Sequence, residues 1–334
     1  MEGMEAMRLL RPAPVEEAPL AAVSPPDPVP GPGEVRIAVQ ACAVCRTDLQ
    51  IAEGDLAAKR LPVVPGHQVV GRIAGLGEGV DPSRLGATVG VGWLASTCGS
   101  CDMCRRGMEN LCRQATFTGW DRDGGYASSM VARADYCYPI PAAMDPVDAA
   151  PLLCGGIIGY RAFKLTGLGR GDRLGLYGFG ASALLVAQVA RHAGCEVYVV
   201  TRGEAARARA REQGVTWVGS LGEAPPAPLH AAITFAPVGA VVVDALRSLD
   251  RAGICVVNAI HLDRIPQFPY QDLYWERRLL SVSNFTREDS RELLQLAVEI
   301  PIRTLHDTFR LGDANLALQR LKHEQVRGAA VLLP

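Results

Sequence analysis

The sequence predicts an α/β protein of two lobes, one β-rich and one built on a parallel sheet covered by helices. Three observations carry that reading. Between Glu34 and about Cys154 the chain shows short strand patterns, frequent glycines and a cluster of four cysteines. From Arg173 onward, strand and helix patterns alternate, as a parallel sheet wrapped on both faces requires. The first turn of that stretch reads Gly178-Phe179-Gly180-Ala181-Ser182-Ala183, a G-x-G-x-x-A pattern between a strand and a helix.

Taken in order, Ala13 to Gly33 is rich in proline and reads as an irregular connection. Glu34–Gln40 alternates polar and apolar residues, as a half-buried strand does. Arg173–Tyr177 is a buried strand, followed by a helix from Ala183 to about His192 that stops at Gly194. Cys195–Val200 is a second strand, Glu204–Glu212 a helix ended by Gly214, and Ala231–Phe235 and Ile254–Val257 are further strands around a helix at Val238–Leu249. The expected domains are 1–155, with a cysteine lobe at about 95–113, then a nucleotide-binding domain at 156–290, then a return to the first domain at 291–334.

The 334 residues are 49% hydrophobic with net charge −1, so the chain can bury sizeable cores and has no broad basic field for nucleic acid or anionic membrane. The N-terminal residues lack a basic start before an apolar run, and no apolar stretch reaches membrane-spanning length. With ten cysteines and no sign of secretion, the expectation is a cytoplasmic enzyme that uses thiols as metal ligands and small buried hydrophobes.

Cys98, Cys101, Cys104 and Cys112 have the spacing of a tight knuckle closing on one Zn²⁺. Four thiolates leave no open position, so such a site is structural; two disulfides are the competing reading. Cys45, His67 and Cys154 together supply two thiolates and an imidazole, the donor set of a zinc site with one position open, although each alone reads more readily as a buried structural residue. In the glycine turn, Gly178 permits the sharp bend, Gly180 lets a pyrophosphate approach, and Ala183 permits close helix packing; an ordinary glycine turn is the alternative. The next strand ends in Thr201-Arg202 with no carboxylate for ribose hydroxyls, which favours the 2′-phosphate of NADP(H) unless Arg202 simply faces solvent.

In family order, Cys45-Arg46-Thr47-Asp48, Gly66-His67, the four-cysteine lobe, Asp123-Gly-Gly-Tyr126, Cys154 and the Gly178 turn resemble the zinc-dependent alcohol dehydrogenases of the medium-chain dehydrogenase/reductase family over essentially the whole chain. The resemblance implies a GroES-like catalytic domain plus a Rossmann domain and two Zn²⁺ per chain. One zinc would sit on Cys45, His67 and Cys154, and the other on Cys98, Cys101, Cys104 and Cys112. It implies interconversion of small alcohols and aldehydes or ketones, in a homodimer or homotetramer formed through the nucleotide domain. Thr47 would carry the hydroxyl proton, Asp48 would fix the imidazole, and Arg46 would pair with the cofactor pyrophosphate. Leu56, Trp93 and Trp120 would line the substrate pocket, with Trp93 readable as plain core, and Ile158 would form an apolar wall beside the nicotinamide.

Four positions depart from the familiar pattern: Gln50 for a relay His, Gln68 for Glu, Ile158 for Thr, and Ala329 for a pyrophosphate-binding Arg, with Arg327 nearby. A zinc-free quinone reductase of the same superfamily and a non-catalytic nucleotide-binding protein are the competing functions. The intact cysteines oppose the first, the four departures lend the second slight support, and since none of them removes a zinc ligand, catalysis remains the expectation. His192, His230, His261, His306 and His323 carry no ligand spacing, and Cys42, Cys137, Cys195 and Cys255 read as structural.

Overall fold

Alternating side chains from Glu34 produce a strand buried on one face in its first half and on both faces over its last four residues. It therefore runs past Gln40 to Val44, because Ala41–Val44 are packed from both sides. The computed structural model describes residues 3–300 and 302–334. It divides into two compact units: Met1–Cys154, Asn284–Glu299 and Arg303–Pro334 form the first, and Gly155–Ser283 with Ile300–Ile302 the second.

Unit 1 begins with β1 (Ala6–Leu9) and β2 (Leu20–Val23), which pair antiparallel. The proline-rich connection therefore contains a short strand. β3 (Glu34–Val44) leads into α1 (Arg46–Glu53). Next come β4 (Val69–Leu76), β5 (Thr88–Val91), β6 (Leu94–Ser96), α2 (Asp102–Arg105), β7 (Thr116–Phe117), β8 (Ser129–Arg133), β9 (Cys137–Pro139) and α3 (Pro146–Ala149). A single 3₁₀ turn, Ala150–Leu153, then delivers Cys154.

Unit 2 holds α4 (Gly155–Thr166), β10 (Arg173–Tyr177), α5 (Ala181–His192), β11 (Glu196–Val200), α6 (Glu204–Glu212), β12 (Trp217–Gly219), β13 (Leu229–Thr234), α7 (Gly239–Arg247), β14 (Leu249–Val257) and β15 (Arg278–Ser281). The chain re-enters unit 1 at Asn284, ahead of the expected 291. There the Asn284 amide donates to the Asn110 carbonyl at 3.1 Å and the Arg287 N–H to Glu109 Oε1 at 3.0 Å. It ends with α8 (Arg287–Glu299), β16 (His306–Arg310), α9 (Ala314–Lys322) and β17 (Ala329–Leu333).

The unit 1 sheet runs β16-β17-β3-β4-β5-β9, with β8 also paired to β3. Its β3–β4 pair is the seam that matters for the site: β3 ends at Val44, one residue before Cys45, and β4 begins just after His67. The unit 2 sheet has six strands in the order β12-β11-β10-β13-β14-β15, all parallel. Counted within the unit this is the 3-2-1-4-5-6 order of dinucleotide-binding sheets, and the glycine turn leaves β10 where the order reverses. The short strands β12 and β15 are too short to show a period; helix α4, whose buried residues Gly156, Ile157, Gly159, Ala162, Phe163 and Thr166 recur at helical spacing, also lies outside the expected elements.

Two glycine positions separate backbone strain from packing. Gly66 has φ +96°, and a Cβ there would stand 2.3 Å from Tyr126 Cδ1 and 2.8 Å from Cys42 Sγ. Gly79 has φ +78° but open space around it. Gly66→Ala is expected to lower the unfolding free energy by about 4 kcal/mol and Gly79→Ala by about 1.5 kcal/mol in urea titrations. Equal losses would mean that the Tyr126–Cys42 packing imposes no constraint on Gly66.

Candidate active site and metal centres

Cys45 is the N-cap of α1, in extended backbone, and Asp48 lies at the third helical position, where a carboxylate can reach back. The Cys45 N–H donates to Asp48 Oδ2 at 2.8 Å, and the negative side chain also suits the helix N-terminus. Asp48 is fully buried and takes three more partners: the Gly66 N–H at 3.2 Å, His67 Nδ1 at 3.0 Å and the Tyr126 hydroxyl at 3.2 Å. Four hydrogen bonds on two oxygens compensate a buried charge that would otherwise be costly.

With Nδ1 engaged, His67 presents Nε2, which is buried and has no hydrogen-bond partner. The ligand atoms of Cys45, His67 and Cys154 all lie within 4.8 Å of one another. A tetrahedral zinc ion, with bonds of about 2.0–2.3 Å, holds its donors within about 4 Å of each other, so a small contraction closes the set. Charge fits as well. Burial disfavours a charged His67, yet the Asp48 and Cys45 charges outweigh it and push its pKa up to about 10. A hydrogen bond from Cys154, aided by the adjacent imidazole, holds the Cys45 thiol well below its usual range, while Cys154 is raised. The pocket attracts positive charge, and a divalent cation satisfies that attraction better than a proton.

Thr47 is buried on the same helix turn, its Oγ1 3.7 Å from Cys45 Sγ. Arg46 beside it is exposed. Gln50 is half-buried, and its carbonyl accepts the N–H groups of Gly54 and Leu56. Gln68 is buried and donates to the Ala43 carbonyl at 3.2 Å. Trp93 is buried with its ring edge-on to His67 at 4.7 Å, and it stacks with Trp120 at 5.8 Å. Leu56 is half-buried. Two partners of the site were not singled out as site residues from sequence: Tyr126, which bonds Asp48, and Phe117, stacked on Trp93 at 5.0 Å. The Gly-Gly-Tyr motif was the available signal for Tyr126.

The four clustered cysteines also converge, with all sulfurs within 4.8 Å and neighbouring pairs 3.5–3.9 Å apart. None is in a disulfide. The backbone N–H groups of Ser100 and Cys101 point at Cys98 Sγ and lower its pKa to about 6, as a ligand thiolate needs. The ends of this loop, Glu109 and Asn110, are the groups that hold Arg287 and Asn284.

In unit 2, Gly178 has φ +96° and its N–H donates to the Val200 carbonyl at 2.8 Å, which sets the turn. Gly180 is different: its φ is −91° and a Cβ there would meet no protein atom within 4 Å. Neither strain nor packing demands glycine at 180, and the space beside it at the N-terminus of α5 would admit a close-approaching group. Phe179 is buried, and the Ser182 hydroxyl donates to the Gly155 carbonyl at 2.5 Å. Ala181 opens α5, and Ile158 is half-buried on α4. Thr201 is buried, its N–H bonded to the Gly219 carbonyl, and Arg202 is exposed. In unit 1, Arg327 is exposed 4.0 Å from Asp307, and Ala329 is buried in β17.

The alcohol dehydrogenase GroES-like domain family matches residues 31–142. A probable alcohol dehydrogenase AdhA of Mycobacterium tuberculosis (strain CDC 1551 / Oshkosh) is 46% identical, covering 99% of this chain and 97% of that protein. An alcohol dehydrogenase of Geobacillus stearothermophilus is 34% identical over 90% of this chain and 92% of its own length. A cobalt- and zinc-bound thermostable alcohol dehydrogenase from Pyrobaculum aerophilum superposes with a TM-score of 0.89 at 26% identity, covering 99% of both chains. The chain belongs to the zinc-dependent alcohol dehydrogenases of the medium-chain dehydrogenase/reductase family, and it is an oxidoreductase of alcohols and carbonyl compounds.

Asp48→Asn tests the buried carboxylate directly. An amide turns two hydrogens toward groups that are already donors. The metal-free protein is expected to lose about 3 kcal/mol of unfolding free energy. Zinc affinity, measured by chelator competition, is expected to fall about 10–100-fold.

Proposed function

We propose that this alcohol dehydrogenase carries two zinc ions per chain, a catalytic one on Cys45, His67 and Cys154 and a structural one on Cys98, Cys101, Cys104 and Cys112, and favours NADP(H) over NAD(H). The observation that carries the catalytic assignment is the buried, unpartnered Nε2 of His67 beside two thiols. Zinc held by those three ligands would supply a Lewis acid for the substrate oxygen, and a bound nicotinamide would supply the hydride chemistry.

The chain's own groups do the rest. Asp48 holds the His67 tautomer that leaves Nε2 free to bind metal. Thr47 Oγ1 takes the substrate's hydroxyl proton in oxidation and returns it in reduction. Gln50 cannot titrate, so the proton passes from Thr47 to water without a histidine. Gln68, neutral and tied to Ala43, leaves the metal site one negative charge short of the family pattern and more electrophilic.

Gly178, Phe179, Gly180, Ala181 and Ser182 cradle the pyrophosphate at the start of α5. Thr201 and Arg202 hold the 2′-phosphate; Arg202 is exposed and no carboxylate of the described residues pairs with it. Leu56, Trp93 and Trp120 line an apolar pocket for medium-chain or aromatic alcohols and aldehydes, and Ile158 flanks the nicotinamide.

We also infer a homodimer or homotetramer built through unit 2. Its sheet ends in β15, and the nearby Tyr270, Tyr274 and Trp275 are exposed. A cytoplasmic location accords with ten free cysteines. No helix of the described residues is long and apolar enough to cross a membrane.

Two measurements test this. Cys45→Ser is expected to reduce kcat for alcohol oxidation by about a thousandfold or more and to remove one of two zinc ions by elemental analysis. Undiminished turnover would sink the catalytic-zinc assignment. Separately, kcat/KM with NADPH is expected to exceed that with NADH by about tenfold, or about 1.4 kcal/mol. Arg202→Ala should erase that preference while leaving NADH turnover alone.

A further inference from the structure

Between α1 and the Val63–Gly66 run, residues Gly54–Pro62 form a strap with no buried side chain. One end continues the helix that starts after Cys45, and the other leads within a few residues to His67. The strap has no core of its own and is held by polar contacts at its ends and middle. Leu56 N–H donates to the Gln50 carbonyl at 3.0 Å, and Trp120 Nε1 donates to the Ala57 carbonyl at 2.9 Å. Lys59 Nζ lies 3.2 Å from Asp121 Oδ1, and Arg60 is 3.3 Å from Asp123.

The surface it covers is aromatic. The Lys59 ammonium sits over Trp120 at 4.1 Å and over Phe117 at 5.2 Å. Phe117 and Trp120 both stack with Trp93, and Trp93 packs edge-on against His67. A row of rings therefore runs from a surface ammonium to a buried imidazole. Asp121 joins the two sides, because its Oδ2 also accepts the Phe117 N–H at 2.9 Å. A half-exposed ion pair is weak alone, and a cation over two ring faces strengthens it. A segment without buried apolar contacts opens at low cost.

We propose that Gly54–Pro62 gates the substrate pocket, with Lys59 as its latch and Phe117 as the ring that transmits the latch to Trp93 and Trp120. Both are positioning residues that set preference for substrates bearing a ring. An aromatic alcohol extends outward along the row and depends on its closed form, whereas ethanol reaches only the inner end. This rests on Cys45, His67 and Cys154 as the reacting centre.

The test compares zinc-replete wild type, Lys59→Met and Lys59→Arg. It reads kcat/KM for benzyl alcohol and ethanol, and the rate of tryptic cleavage within the strap. Lys59→Met keeps the aliphatic stem and removes the charge. It is expected to lower kcat/KM for benzyl alcohol about tenfold through KM, leave ethanol within about twofold, and speed cleavage after Arg60 about tenfold although one tryptic site is gone. Lys59→Arg should restore both readouts. A benzyl-to-ethanol ratio within about twofold of wild type, or unchanged cleavage, overturns the proposal. If wild type oxidises neither alcohol, the proposed reacting centre and its pocket fail, and cleavage alone then upholds or overturns the latch.

Discussion

The buried carboxylate of Asp48 is the constraint around which the reacting centre is arranged. A charge with no solvent access is tolerated only where donors surround it, and here they come from a helix cap, a glycine turn, an imidazole and a phenol. The donors come from three parts of unit 1: the start of α1, the Gly66-His67 turn and Tyr126. The carboxylate therefore sets the position of Cys45 relative to His67 and packs Tyr126 against Gly66. Burial and the Asp48 charge push the Tyr126 hydroxyl well above its usual pKa, so it stays a donor. Cys42, beside Gly66, is raised well above the ordinary thiol range by burial and the same charge, and it remains neutral packing.

The two cysteine sites solve different problems. The four-thiol loop lies on a small lobe with few apolar side chains, where backbone amides point at sulfur and a closed ion can take the place of a hydrophobic core. The Cys45–His67–Cys154 set lies inside unit 1 and offers one fewer ligand, so a metal held there as proposed would keep a coordination position for chemistry. The remaining thiols are inert for the same reason that Cys42 is: burial lifts Cys137 and Cys255 to about 12. Reactivity among ten cysteines is thus sorted by local amides, charges and burial rather than by the residue type.

The departures from the family pattern leave the ligand shell intact. Gln68 is satisfied by the Ala43 carbonyl, a neutral bond in place of a second carboxylate near the metal. Ala329 sits inside β17, paired with β16 and bonded to Leu305, while Arg327 stands outside the strand beside Asp307. None of these positions hydrogen-bonds Asp48, and none is one of the three converging donors.

The sequence by itself determined what local physics encodes. The cap at Cys45 and its Asp48, the two-residue cysteine spacing, the strand–glycine–helix turn and the long periodic strands all depend on neighbours within a few residues. The tertiary structure alone decided what long-range packing encodes. It decided that three of the sixteen cysteines and histidines, far apart in sequence, converge, that Tyr126 completes the Asp48 shell, and that Phe117 joins the aromatic row. It also supplied the short strands β12 and β15, whose three and four residues carry too little period to read but pair readily against a sheet already formed. Periodicity and caps are properties of adjacent residues, whereas convergence is a property of how sheets and turns close on a buried charge.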